Sequence, residues 1–214
     1  MTRVPVASAL TLSALTLVLA GCGGGHSPAS QSATPRLTPA SLDTGAPACD
    51  PAALPAGFVA DGSHSGRVTA QTYSPAVQVQ AALEYDQLQS GVRDVYLHHV
   101  GGTKSRVDAV IDCTALQFPS VDQANRFFGS FRALRHGARA VVTKLNAAPK
   151  VTGLTGTVAY LERKQSFQGY GISSTNVVEA AGLDGTTLRV VSISGRKPAT
   201  SAASDLLQSA VSAR

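Results

Sequence analysis

The chain has no tryptophan, one methionine and three cysteines among 214 residues, and aromatic residues reach only 5%. Charged residues are scarce too, at 14% against about 25% in ordinary proteins. A coiled coil or a charge-driven disordered polymer needs far more charge, so both are excluded. No C-x-x-C pair is present, which argues against a zinc ribbon or finger. H-E-x-x-H, G-x-G-x-x-G after a strand, a complete P-loop and an N-x-[ST] sequon are missing as well. The basic residues are not interleaved with aromatics, so nucleic acid is not an expected partner, and neither a metal nor a cofactor is expected. What is present is 43% hydrophobic residues, ample for one core, in a length that suits one domain plus extras. The formal charge is +5, from 18 basic and 13 acidic residues, a mild imbalance that favours weak attraction to anionic surfaces and no more.

The first residues carry their own signal. Arg3 precedes an uncharged run from Val4 to Ala20, and Leu19-Ala20-Gly21-Cys22 follows directly. An early cation followed by a short apolar stretch, diluted here by Ser8, Thr11, Ser13 and Thr16, is the layout of a secretory signal. Leu19-Ala20-Gly21-Cys22 resembles the lipobox of bacterial lipoproteins. The resemblance implies that residues 1–21 are a signal peptide, that Ala20 and Gly21 fit the signal peptidase, and that the Cys22 thiol accepts lipid and becomes the new N-terminus. One acyl chain anchors only marginally whereas two or more hold stably, so the family's modification (palmitate or similar chains) implies a permanent tether to the extracytoplasmic face of the cell membrane. Arg outnumbers Lys 13 to 5 and Ile occurs three times. With the lipobox, the chain looks like the small surface lipoproteins of high-GC Gram-positive bacteria, some of them similar in layout to extracellular sensor domains of receptor kinases.

Residues 22–48 read as the acylated N-terminus and a flexible linker. Gly, Ala, Ser, Thr and Pro supply 20 of the 26 residues after Cys22, too few apolar groups to offset the entropy of ordering. Cys49 and Cys113 then remain in an exported chain that meets oxidising conditions. Two buried thiols or a metal pair are the alternatives; the favoured expectation is a Cys49–Cys113 disulfide closing a loop of about 65 residues.

Residues 49–214 read as a single α+β domain, a mostly antiparallel sheet with helices packed on one face. Val92–Val100 and Arg106–Phe118 alternate as two strands, with the odd-numbered apolar residues of both taken to share the core face, which calls for an odd-length connection. Ser120 and Gln123 form an S-x-x-Q capping box ahead of a helix whose stripe is Val121, Ala124, Phe127, Phe128, Phe131 and Leu134. Pro75–Gln89 reads as a short helix with Val77, Ala81 and Leu83 or Leu88 inward. Further strands are expected near 156–163, 171–181 and 186–194, then a helix after Pro198 with Ala199, Ala203, Leu206, Leu207, Ala210 and Val211 on one face. Strand–turn–strand–helix therefore occurs twice.

The even-numbered face of the first strand pair carries Asp94, Tyr96, His98, Asp108 and Asp112, with His98 opposite Arg106 or Asp108 and Asp94 opposite Val110 or Asp112. Carboxylates beside an imidazole suit cation binding or acid–base work. The solvent face of a half-buried sheet carries such residues anyway, so these five form a candidate polar binding face and not a catalytic set. Arg126, Arg132, Arg135, His136 and Arg139 cluster toward a helix C-terminus, where the dipole favours cations. The expected role is a membrane-anchored, exported, non-catalytic module, sensor-like, that binds a small ligand, an envelope protein or a wall polymer. An envelope hydrolase and a carrier of an apolar ligand are the alternatives. The largest cavity sorts them: converging Ser, His and Asp for the hydrolase, a dry apolar hollow for the carrier.

Overall fold

The computed structural model describes residues 47–74, 76–100, 106–137, 142–144, 150–164, 175–195 and 198–212, without the side chains of 136–137, 142–144, 163–164 and 200. The expected signal peptide, Cys22, nearly all of the expected linker and Arg139 lie outside these residues. Among the described residues there are eight strands: β1 (Phe58–Ala60), β2 (Gly66–Arg67), β3 (Ser90–His99), β4 (Val107–Gln117), β5 (Val142–Lys144), β6 (Thr155–Lys164), β7 (Thr175–Asp184) and β8 (Thr187–Gly195). The helices are α1 (Ala70–Tyr73), α2 (Val77–Tyr85), α3 (Val121–Gly137) and α4 (Thr200–Ser212). All strand pairs are antiparallel, in the order β1-β3-β4-β8-β7-β6-β5, with β2 also paired to β3. The α+β class and the antiparallel sheet are as the sequence suggests. No described helix is long and apolar enough to cross a membrane.

The expectation that helices cover one face needs correction. Helices α1, α2 and α3 pack on one face, around Leu116, Phe118, Phe127, Phe128, Phe131, Val158 and Leu188. Helix α4 packs on the other, where Ala203, Leu206 and Leu207 meet Ile111, Cys113, Val178, Val191 and Ile193. With both faces covered, β4, β7 and β8 are buried nearly throughout, and the alternation expected of a half-solvated sheet disappears. The two strand–turn–strand–helix units stand back to back through β4 and β8, but α3 and α4 return to opposite faces.

The β3–β4 register is the second correction. Near the connection His99 pairs with Val107, so like parities share a face, as expected. One residue on, His98 pairs with Ala109, leaving Asp108 as an extra residue in a bulge. A single extra residue sends every later side chain to the opposite face. Asp94 therefore stands opposite Cys113, and Val95 opposite Asp112.

Local signals hold better. Ser120 Oγ accepts from the Gln123 N–H at 3.2 Å and donates to Gln123 Oε1 at 2.8 Å, starting α3 where the capping pattern places it. Ala124, Phe127, Phe128 and Phe131 are buried as expected, whereas Val121 is half-exposed. In α2 only Leu83 is fully buried and Val77 is exposed, because the helix turns Val79 and Ala82 inward instead. Gly185, at φ 57°, supplies the left-handed residue for the turn between β7 and β8. Buried Asp86, just past α2, accepts from Arg126 Nε at 3.0 Å and ties α2 to α3.

The Cys49–Cys113 disulfide is present, with Cα atoms 5.6 Å apart and both residues fully buried in the α4-side core. Ala48 is buried beside it, so the fold begins within the stretch assigned to the linker. Its N–H donates to Asp94 Oδ2 at 2.5 Å.

Candidate functional site

Each of the five residues of the candidate polar face has a definite place, and they do not form one face. Tyr96 is buried in the α4-side core. Asp94 holds the backbone of Ala48. His98 Nδ1 meets Asp108 Oδ1 at 2.6 Å, a contact created by the bulge, with the His98 ring against Phe58 of β1. Asp112 alone turns toward the α1–α3 face. There it joins residues that the sequence reading did not put together.

That face holds a cavity of about 520 Å³ between α2, α3 and the sheet. Its polar floor follows from the strand register. Asp112 of β4 is opposite Ser192 of β8, and Ser192 is opposite Glu179 of β7. Three polar side chains thus stand in one row across three strands, and at about 4.8 Å per strand the two carboxylate residues are roughly 10 Å apart along it. Each carboxylate is flanked by a guanidinium. Arg93 Nε lies 3.5 Å from Asp112 Oδ2, and Arg93 donates to the Tyr73 carbonyl at 2.8 Å, with its guanidinium 5.7 Å from the Tyr73 ring centroid. Thr114 Oγ1 donates to Asp112 Oδ1 at 3.0 Å. On the other side Arg135 of α3 reaches Glu179 Oε2 at 2.5 Å and Glu162 Oε2 at 3.4 Å, its guanidinium 5.4 Å from the Phe131 ring centroid. Ser192 Oγ also donates to Glu179 Oε2, at 3.3 Å. Apolar walls of Val79, Phe127, Phe131, Leu134, Val177 and Val190 complete the cavity.

The second oxygen of this glutamate stands apart. Glu179 is 7% exposed, and its Oε1 is buried with no hydrogen-bond partner. Burial raises the Glu179 pKa above the usual carboxylate range, against the pull of Arg135. Burial raises Asp112 likewise, with Arg93 and the Thr114 hydroxyl opposing it. Asp112 keeps about a third of its side-chain surface accessible, and that surface opens onto the cavity. For Arg135, burial works against the charge, but the Glu179 carboxylate outweighs it and the pKa rises. The Tyr73 phenol is pushed above its ordinary range by burial first and by the Glu179 charge second.

Three arginines of the cluster in α3 have partners among the described residues. Arg126 is paired to Asp86, Arg135 to Glu179 and Glu162, and the Arg132 guanidinium sits 5.9 Å from the Phe128 ring centroid. A sequence-local group also imitates a catalytic triad without the geometry of one. In the loop after β1, Ser63 Oγ lies 3.0 Å and Asp61 Oδ2 2.6 Å from His64, but both meet Nδ1. A working base needs one ring nitrogen for the nucleophile and the other for the acid. Asp61 here caps a turn, also accepting the Ser63 N–H at 3.0 Å, and its hydrogen bonds, led by that of the Ser63 side chain, lower its pKa. Among the described residues no group of three or more His, Cys, Asp or Glu has the arrangement of a metal site.

No protein-family model matches the chain, and no curated protein matches it. Among solved structures, it is similar to the crystal structure of the extracellular domain of PknH from Mycobacterium tuberculosis. The TM-score is 0.46 and the identity 9%, over 72% of this chain and 81% of that one. A likeness of that size carries no argument about function, which rests on the cavity alone.

Proposed function

We propose that this protein is an exported lipoprotein, acylated at Cys22 and held at the extracytoplasmic face of the cell membrane, whose folded domain binds a small ligand in the cavity beneath α2 and α3. The observation that carries the binding reading is the cavity itself. It is large enough for a small organic molecule, and its lining joins apolar side chains to a larger set of polar and charged ones. That mixture fits a recognition site better than a carrier of purely apolar cargo, whose cavity needs no row of Asp112, Ser192 and Glu179. It also differs from the hydrolase alternative, in which serine, histidine and aspartate converge, since the described lining contributes serines and carboxylates flanked by arginines. The anchor supplies location and the domain supplies recognition.

Intact-mass analysis and detergent partitioning of the native protein test the first half. Acylation is expected on a chain that begins at Cys22, and Cys22→Ser abolishes it. An unmodified, freely secreted wild type overturns the lipoprotein reading. Saturable turnover of a wall or ester substrate, lost in Ser192→Ala, would replace the binding module with an enzyme.

A further inference from the structure

Five charged side chains line the cavity: the carboxylates of Asp112, Glu162 and Glu179 and the guanidiniums of Arg93 and Arg135. Two cations do not cancel three anions. Arg135 is spent on two of them, Glu162 at 3.4 Å and Glu179 at 2.5 Å. Arg93 is held beside the third and not on it. Its Nη2 donates to the Tyr73 carbonyl at 2.8 Å and its Nε to Thr114 Oγ1 at 3.4 Å, which leaves Nε 3.5 Å from Asp112 Oδ2. Asp112 Oδ1 accepts from Thr114 Oγ1 at 3.0 Å, whereas Oδ2 accepts no hydrogen bond from the described residues. The Asp112 side chain keeps 34% of its surface accessible, against 16% for Glu162 and 9% for Glu179. Since β4 lies in mid-sheet between β3 and β8, that surface borders the cavity. Burial raises the Asp112 pKa all the same, as expected of a charge that faces a hollow and not bulk water.

We infer, building on the reading of this cavity as a ligand site, that its ligand is a small organic cation, an ammonium on an apolar body, whose charge pairs with the Asp112 carboxylate. The ammonium supplies the positive charge that the lining lacks. It also gives a donor to the most accessible of the three carboxylates, whose Oδ2 is an acceptor without a hydrogen bond. The apolar body lies against Val79, Phe127, Phe131 and Val190. An anionic ligand would meet three carboxylates in the same space, with Arg135 already taken by two of them. The preference opposes that of the chain as a whole, which carries a formal charge of +5 and attracts anions at long range. Selection of a cation is therefore a property of the cavity and not of the overall field.

The purified mature protein is titrated near neutral pH with benzylammonium chloride, benzyl alcohol and sodium benzoate, and amide shifts are followed by NMR at Asp112, Val190 and Ser192. The three probes share an aromatic body and differ in charge. Benzylammonium is expected to bind about tenfold or more tightly than either of the others, the worth of one charge-assisted hydrogen bond. In Asp112→Asn, which keeps the shape and removes the charge, that advantage falls to within about threefold. Asp108→Asn makes the same charge change outside the cavity lining and is expected to keep the advantage. Benzoate or benzyl alcohol binding as tightly as benzylammonium overturns the cation while leaving a ligand cavity in place. An advantage that survives Asp112→Asn, or is lost in Asp108→Asn, overturns Asp112 as its partner. Failure of every probe to shift these amides overturns the ligand reading together with the cation. The ranking in the wild type needs no variant, so it decides the matter even if Asp112→Asn does not fold.

Discussion

The two faces of the sheet are built from the same strands and do opposite things. On the α4 face, small and branched side chains such as Ala115, Ala180, Val191 and Ala203 pack closely around the Cys49–Cys113 bridge. On the α1–α3 face, large rings pack around Phe127 and Phe131, and the register places polar residues beneath them, leaving a cavity. Phe118 stacks on Phe127 with centroids 5.2 Å apart, and Phe131 meets Tyr160 edge-on at 6.3 Å. Small residues with a covalent staple give a closed face that fixes where the chain joins the domain. Bulky residues held apart by buried ion pairs give a face with room in it. The difference shows that burial alone does not define a site: both faces are covered, and the α1–α3 face still holds a cavity with charged groups in its lining.

If the closed face serves stability and the open face binding, breaking the bridge has the largest effect on folding and the least on the cavity. Cys49 and Cys113 are 64 positions apart, and replacing both with Ala is expected to cost about 4 kcal/mol by loss of loop-closure entropy. Urea denaturation of the double variant measures this. A change below about 1 kcal/mol would mean that α4 packing and the Asp94–Ala48 contact hold the face without the staple.

The next effect sharpens the comparison through pH. Glu179 has its pKa raised in the folded state, above the 4.5 it takes when exposed, and Asp112 is raised above 3.8. Between those ordinary values and the raised ones, the native state binds more protons than the unfolded state. Stability is therefore greatest on the acid side of this window and falls as pH rises through it. The slope is at most about 1.4 kcal/mol per pH unit for each proton involved. Glu179→Gln removes one of the two contributions, so its unfolding free energy declines less steeply above pH 4.5. An identical slope in the variant would show that the open face is not the strained one.

The smallest effect belongs to neither face. His98 and Asp108 meet at the bulge with 36% and 41% of their side chains exposed, so water screens the pair. Asp108→Ala or His98→Ala is expected to shift stability by less than about 1 kcal/mol in urea denaturation. A loss above about 2 kcal/mol in either variant would show that this exposed pair holds the bulge, and with it the register of β3 on β4.

Much of the architecture was legible residue by residue. The Phe stripe of α3 repeats at helical spacing, Ser120 and Gln123 mark its start, and Leu183-Asp184-Gly185 marks the turn between β7 and β8. These signals act within a few residues, so local pattern carries them. Strands β1, β2 and β5 were missed because elements of two or three residues leave no periodicity to read. The site was not legible for another reason. Asp112, Ser192, Glu179 and Arg135 are scattered along the chain, and no short motif links them. Arg135 reads as a cation at a helix end, and no motif singles out Glu179. A charged residue in the middle of a run that is otherwise Val and Ala was the one available hint.

Reading the chain alone is enough for the class of the domain and for most of its long helices and strands, and it favours a bridge between Cys49 and Cys113. Each follows from composition, spacing or short-range pattern. Tertiary structure alone decided which side chains share a face. One extra residue at Asp108 reverses the facing of most of β3 relative to β4, and a sheet covered on both sides has no polar stripe to reveal that reversal in advance. Strand register and helix packing therefore brought Asp112 to Ser192 and Glu179 beneath Arg135, because contacts between distant residues depend on how strands are aligned and not on what either strand contains.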